Sequence, residues 1–226
     1  MGAGYGEDPL NVPSAVHQAA PDTLPCMVAI LAYGSLIDDP GAEITARIAS
    51  RRAVRTPFRV EFARPSVTRG GAFTLAVVEE GGAQVDAELI VLDDTVPLQE
   101  AKSMLWRRET QQIGTGRQYH EVPHPGPNRV LVKEFTNFHG QELVLYVDFP
   151  PGGKSTPLDA DHLAETAIAS ARGRTDGKDG ISYLLSVKRS GIVTQLMHGY
   201  EKSVLDRTGT TTLEEALQRA RVSAVR

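Results

Sequence analysis

The sequence predicts an α+β protein: a β-rich core with one embedded helix, followed by a helical C-terminal third. Three observations predict it. A short, continuous apolar run at 27–33 reads as a fully buried strand. Two pairs of β-rich runs, each joined by turn residues, read as hairpins. After the Pro150-Pro151-Gly152-Gly153 break the texture changes to helical spacing.

The run MVAILAY at 27–33 is too short for a typical helix and stops at Gly34-Ser35. Pro40-Gly41 closes the next loop, and a short helix is predicted over 42–50. Pro57 and Pro65 border a strand at 58–63. Residues 73–78 and 85–92 are predicted to pair as a hairpin through Glu79-Glu80-Gly81-Gly82, because the two glycines accept the positive φ angles of a tight turn. A second hairpin joins 129–136 to 142–149 around 137–140, with imperfect alternation of Val130, Val132 and Phe135, then Leu143, Leu145 and Val147. Between the hairpins a helix is predicted from a Thr95 cap to about Gln112, with Pro97 in its first turn and Gly114 as its stop. Helices are predicted at 159–171, 181–189, 192–205 and 213–222. Thr211 with Glu214, or Thr212 with Glu215, forms a capping box for the last. The chain thus divides into a flexible, Gly- and Pro-rich extension at 1–26, a core at 27–150, and a helical part at 151–226 whose apolar stripes predict packing on that core.

Of 226 residues 41% are hydrophobic and 23% charged, the composition of a soluble globular protein. A net charge of −4 excludes the strongly basic footprint of a general nucleic-acid binder. No apolar run approaches the roughly 20 residues that span a bilayer, so no membrane partner is expected. The single cysteine, Cys26, excludes an intrachain disulfide and a Cys-rich zinc site. The first basic residue is Arg47, so neither a secretory n-region nor an Arg-rich transit peptide is present, and the expected location is cytoplasmic. His120 and His124 are four apart, but Pro123 and Pro125 oppose a helix there, and no metal is expected.

Projected at ~100° per residue, Leu98, Ala101, Leu105 and Glu109 fall on one stripe, with Ile113 close by and Trp106 at its edge. Glu109 is therefore expected to face the core. A buried carboxylate is costly unless paired or protonated, and in a cleft it is a general-base candidate with a raised pKa. The alternative is a structural ion pair with Arg107, Arg108 or an arginine from elsewhere, with Lys102 opening the edge of the stripe. The turn Tyr33-Gly34-Ser35-Leu36 offers a second candidate: glycine permits a sharp bend, after which successive N–H groups point outward and can hold a carboxylate or an oxyanion. A plain connection is the alternative. Ser35 has no His in a triad context, which favours a role in the turn over one as a nucleophile. The basic run Arg47, Arg51, Arg52, Arg55 and Arg59 reads as a solvated face, with one of these or Arg69 as the alternative partner of a substrate carboxylate.

Leu31-Ala32-Tyr33-Gly34-Ser35-Leu36-Ile37 resembles the strand and Tyr-Gly-Ser-(Leu/Asn) loop of the gamma-glutamyl cyclotransferase family, and the following Asp38-Asp39-Pro40-Gly41 is similar to its ChaC-like branch. Leu105-Trp106-Arg107-Arg108-Glu109 resembles the segment in which that branch carries its essential glutamate. Tyr119 follows Gly114 and Gly116 as the family's tyrosine follows a glycine-containing stretch. Gly180-Ile181-Ser182-Tyr183-Leu184 and Ser190-Gly191-Ile192 are also similar to ChaC-like proteins. The resemblance covers residues 28–122 closely and 178–205 loosely. Asp38 and Asp39 stand where the branch usually has an aromatic residue and Asn, and Asp86-Ala87 where the family often has glycine.

The resemblance implies a mixed β-barrel with an embedded helix, no cofactor, and a small γ-glutamyl substrate taken by a monomer or homodimer. It implies cleavage of a γ-glutamyl amide by its own α-amine, giving 5-oxoproline and a released amine or peptide. Glu109 would be the base. Gly34, Ser35 and Leu36 would hold the α-carboxylate or the oxyanion, and Tyr33 and Tyr119 would bond or wall the substrate. Glutathione or a specialised γ-glutamyl metabolite would be the substrate. A non-catalytic binding module and an amide hydrolase are the alternatives on the same fold.

Overall fold

A computed structural model describes Met1 and residues 27–155 and 159–222. The predicted extension at 1–26, apart from Met1, lies outside the described residues. The strand β1 (Val28–Ala32) is buried at every position. It lies mid-sheet, antiparallel to β5 (Asp86–Leu92) on one edge and parallel to β7 (Gln141–Asp148) on the other. Both its faces are covered, which is why its sequence is continuously apolar rather than alternating. Adding β2 (Ile48–Arg55) beyond β5 and β6 (Leu131–Phe138) beyond β7 gives a mixed five-stranded sheet of order β2-β5-β1-β7-β6. A separate antiparallel pair consists of β3 (Arg59–Pro65) and β4 (Phe73–Val78). No closed barrel is found among the described residues; the architecture is α+β.

The helix α3 (Leu98–Glu109) lies on one face of the sheet, where Ala101, Met104, Leu105 and Trp106 meet Ile30, Ile90 and Leu145. Burying a side chain like Leu105 stabilises by about 2 kcal/mol. The other face joins Leu31, Leu89, Val91 and Val144 with Phe58, Phe135 and Tyr146. The β3–β4 pair is apolar on both sides. Ala63, Ala76 and Val78 join the α3 core, while Val60, Phe62, Phe73 and Leu75 face the C-terminal helices. Those helices are α4 (Ala160–Ala171), α5 (Gly180–Arg189), α6 (Met197–Thr208) and α7 (Leu213–Val222).

Several expectations require correction. The helix over 42–50 shortens to α2 (Ala42–Thr45), and Ile48–Arg55 is a strand. Its arginines hide it from a hydrophobic pattern, but charged side chains suit a sheet edge, and Arg51 pairs across the ladder with Glu88 at 2.8 Å. The runs at 73–78 and 85–92 are strands but do not pair with each other. Their connection lies against β3, where a Cβ on Gly82 would stand 2.7 Å from the Val60 carbonyl oxygen, and so carries β5 into the other sheet. Thr95 does not cap α3. Pro97 occupies the N-cap position, and Thr95 bonds to Asp93 instead. The helix expected over 192–205 starts at Met197 because the Glu61 carboxylate accepts from Thr194 Oγ1 at 2.6 Å and from the Leu196 amide at 3.0 Å, holding the approach out of helix.

The hairpin β6–β7 forms as expected, with φ of 49° at His139 and 81° at Gly140, both central residues positive as a type I′ turn requires. At α7 the Glu215 amide donates to Thr212 Oγ1 at 3.2 Å, while the Glu215 carboxylate accepts from both the amide and the hydroxyl of Thr211.

Candidate functional site

The strand β1 ends at Ala32, and after Tyr33 the chain turns at Gly34, whose φ of 63° and ψ of −139° disfavour any side chain. A single helical turn, α1 (Ser35–Asp38), follows. The Ile37 amide bonds the Gly34 carbonyl at 3.1 Å, and the Asp39 amide bonds that of Ser35 at 3.0 Å. The amides of Ser35 and Leu36 come before these bonds and have no carbonyl within the turn to meet. The Leu36 side chain is in the α3 core, so only its backbone is available here. A Cβ on Gly34 would lie 3.9 Å from Leu75 Cδ1 and from Ile192 Cδ1, which places β4 and the segment after α5 beside the turn.

Glu109 ends α3, and its neighbour Arg108 joins it to that turn. Arg108 Nη1 donates to Glu109 Oε1, Nη2 to Ser35 Oγ at 3.1 Å, and Nε to the Asp39 carbonyl at 2.9 Å. Gly41 is needed for this approach: its φ is 83°, and a Cβ there would press on Ile113 Cδ1 at 2.7 Å and on Arg108 Cγ at 3.2 Å. Arg107 points elsewhere. Only 3% exposed, it clamps Glu43 at 2.7 Å, Glu100 at 2.6 Å and the Arg117 carbonyl at 2.7 Å. Burial works against its charge, but the bonds to Glu100 and Glu43 outweigh this and raise the pKa of the guanidinium.

The expected setting of Glu109 needs revision. Leu105 and Ala101 of its stripe are fully buried, but the Glu109 side chain keeps 22% exposure and Ile113 is 42% exposed. The helix stops at Glu109 and Gln111 takes a φ of 57°, so the stripe does not continue inward. The carboxylate sits among charges and hydroxyls rather than in an apolar pocket. Its charge is felt by Tyr33, Arg64 and Tyr183.

The Tyr33 hydroxyl donates to the Val147 carbonyl at 3.2 Å. Burial first, then the charges of Asp148 and Glu109, hold its pKa well above the ordinary value. Tyr183, on α5, accepts from the Leu75 amide at 3.1 Å, and the Arg69 guanidinium stacks 4.6 Å from its ring. Burial raises its pKa; the Leu75 bond and Arg69 oppose that shift. Asp179, fully buried, sets α5 in place by accepting from the amide and hydroxyl of Ser182, both at 2.7 Å. Arg64, near the end of β3, has its Cζ 3.9 Å from the Phe149 ring centroid and feels the charges of Glu109 and Tyr183.

The expected site is therefore brought together in part. Tyr33, Gly34, Ser35 and Glu109 converge, with the Leu36 amide. Tyr119 does not join them. It is 4% exposed, and its hydroxyl accepts from the Val132 amide at 3.2 Å. It meets Gln99, Ser103 and Trp106, a face of α3 roughly a quarter-turn from Glu109. The basic run stays on the outside, Arg51 paired with Glu88 and Arg47 with Asp93. Arg64 and Tyr183 were not foreseen; the one signal for Arg64 was a charged residue closing a buried strand.

Two cavities lie away from this convergence. One, of about 770 Å³, is lined by α7 and residues 209–211; the other, of about 570 Å³, by Glu61, Val78, Gly81, Lys154 and Gln195. Neither is lined by Glu109, Tyr33 or Ser35. Among the described residues no helix is long and apolar enough to cross a membrane, and no group of three or more His, Cys, Asp or Glu side chains is placed to hold a metal ion. No family model matches the chain, and none of the curated proteins matches it.

Proposed function

We propose that this protein is a γ-glutamyl cyclotransferase, with the barrel-like fold of that family in an open form. One observation carries the reading. Arg108 joins Glu109 to Ser35, so two motifs 73 residues apart in sequence meet at one carboxylate and one turn. The attacking α-amine of a γ-glutamyl group is mostly protonated at neutral pH and needs a base. Glu109 takes its proton. The amine then closes on the γ-carbonyl carbon, a C–N bond forms, and the amides of Ser35 and Leu36 face the oxygen as its charge grows. The bond to the leaving nitrogen breaks as that nitrogen receives the proton from Glu109. No water is consumed. Folding the glutamyl chain into its near-attack shape supplies much of the rate, because the reaction is already unimolecular.

The test is mass spectrometry of products from glutathione and a panel of γ-glutamyl amines. The wild type is expected to form 5-oxoproline, and Glu109→Gln, which keeps shape but cannot take the proton, to lose about 10²- to 10⁴-fold in turnover. Most activity surviving in Glu109→Gln removes the base. Free glutamate in place of 5-oxoproline makes the protein a hydrolase. Binding without any product makes it a binding module.

A further inference from the structure

Arg64, half-buried, carries an unsatisfied donor beside this site. Its Nε is buried without a hydrogen-bond partner, and among the described residues nothing accepts a hydrogen bond from its guanidinium or pairs with it ionically. The Phe149 ring, 3.9 Å from Cζ, covers the group. An arginine stays protonated in proteins and carries five N–H donors. Burial lowers its pKa, with the Glu109 charge and then Tyr183 acting the other way. Leaving the buried Nε–H without an acceptor costs stability, and a ligand anion that reaches it relieves that cost. The other cations nearby are committed. Arg108 bonds Glu109, Ser35 and Asp39; Lys154 pairs with Asp148 at 2.6 Å; Arg69 stacks on Tyr183.

The backbone re-aims this side chain. The β3–β4 register slips between Phe62 and Arg64, so Ala63 is an extra residue, and Arg64 pairs with Thr74 instead of facing the helices with Val60 and Phe62. Bulges recur where a strand must redirect a functional side chain.

We propose that Arg64 binds the α-carboxylate of the substrate's glutamyl group. The inference rests on the cyclotransferase reading. The α-amine and α-carboxylate hang from one carbon, so the base for the first and the cation for the second must be neighbours. With the carboxylate on the guanidinium fork, the Ser35 and Leu36 amides are left to the γ-carbonyl oxygen. A planar, bidentate contact also favours arginine over lysine here.

The test compares binding of 5-oxoproline and 5-oxoprolinamide, which differ only in that carboxylate, to wild type, Arg64→Met and Arg64→Lys by calorimetry. Wild type is expected to prefer 5-oxoproline by about 30-fold or more, the worth of a charge-assisted hydrogen bond. Arg64→Met should bind both alike, and Arg64→Lys should keep part of the preference; if the Met variant fails to fold, the Lys variant carries the comparison. No preference in the wild type, or an undiminished preference in the variants, overturns the proposal. Turnover is not needed, so the two readings separate. An Arg64-dependent preference without 5-oxoproline formation from any γ-glutamyl amine upholds the carboxylate site and overturns the reaction. Formation of 5-oxoproline with a preference indifferent to Arg64 does the reverse.

Discussion

Gly180→Ala tests how closely the C-terminal helices are held to the rest of the molecule. Gly180 opens α5, and a Cβ added there would stand 2.7 Å from Ala167 Cα, Ala167 Cβ and Ala72 Cβ. Ordinary carbon contacts lie near 3.5–4.0 Å, so each is too short by about 1 Å. One of the three is backbone of α4, so no side-chain rotation relieves it. Gly180 is not among the positive-φ glycines, and alanine suits a helix better by up to about 1 kcal/mol. Against that gain, overpacking costs about 1–3 kcal/mol. The net expectation is a loss of about 1–2 kcal/mol, or a fall in the thermal midpoint of about 3–6 °C for a chain of this size. Gly152→Ala is the control, since nothing lies within 4 Å of a Cβ there. The assay is thermal and urea unfolding of both variants beside wild type. A Gly180→Ala protein as stable as the control would refute the close packing of α4, α5 and the segment before β4. Tyr183 lies one turn further along α5, so the same shift should loosen its bond to the Leu75 amide.

Arg107→Met should destabilise the fold by about 2–3 kcal/mol in urea unfolding, below the usual range for a broken buried pair because Glu43 and Glu100 keep 22% and 38% exposure; an unchanged midpoint refutes the clamp. Burial holds Tyr33, Tyr146, Tyr183 and Tyr200 above the ordinary tyrosine range. In ultraviolet titration these four should deprotonate later in the folded than in the unfolded protein. Between the two pKa values the folded state binds more protons, so stability present below about pH 10 should fall as pH rises further. Coincident folded and unfolded titration curves contradict it.

What was legible in the sequence followed from local rules. β1 declared itself because a strand covered on both faces has no polar register to interrupt it. The β6–β7 turn declared itself through residues suited to positive φ. The apolar stripe of α3 was legible as far as Leu105, but the setting of Glu109 was not, because the helix stops there and the stripe does not continue inward. What was not legible depended on partners distant in the chain. Nothing in 73–78 says that it pairs with β3 rather than β5. The arginines of β2 look like a solvated face because they are one, at the edge of a sheet. Tyr119 lay at the right distance after α3, but its position was decided by the Val132 amide it accepts from. Arg64 was hidden by the bulge at Ala63, since simple alternation sends it to the opposite side.

Glu109 can still be weighed between a structural ion pair and a base. A structural pair ties separate elements together, as Arg107 ties α2 to α3 and Glu61 ties β3 to the segment before α6. Glu109 does neither. Among the described residues its one hydrogen bond is to Arg108, the preceding residue of its own helix. Adjacent helix positions do not face each other, so that bond adds little to α3. The contacts that cross elements, to Ser35 and to Asp39, belong to Arg108 and survive the loss of the carboxylate. The fold therefore gains little from a partly buried acid whose charge falls on Tyr33, Arg64 and Tyr183. A general base needs those properties: a negative charge near the substrate, one oxygen steadied by a neighbour, and the other free to take a proton. Glu109→Gln should accordingly unfold at nearly the wild-type midpoint while losing turnover, and a large loss of stability would return Glu109 to the framework.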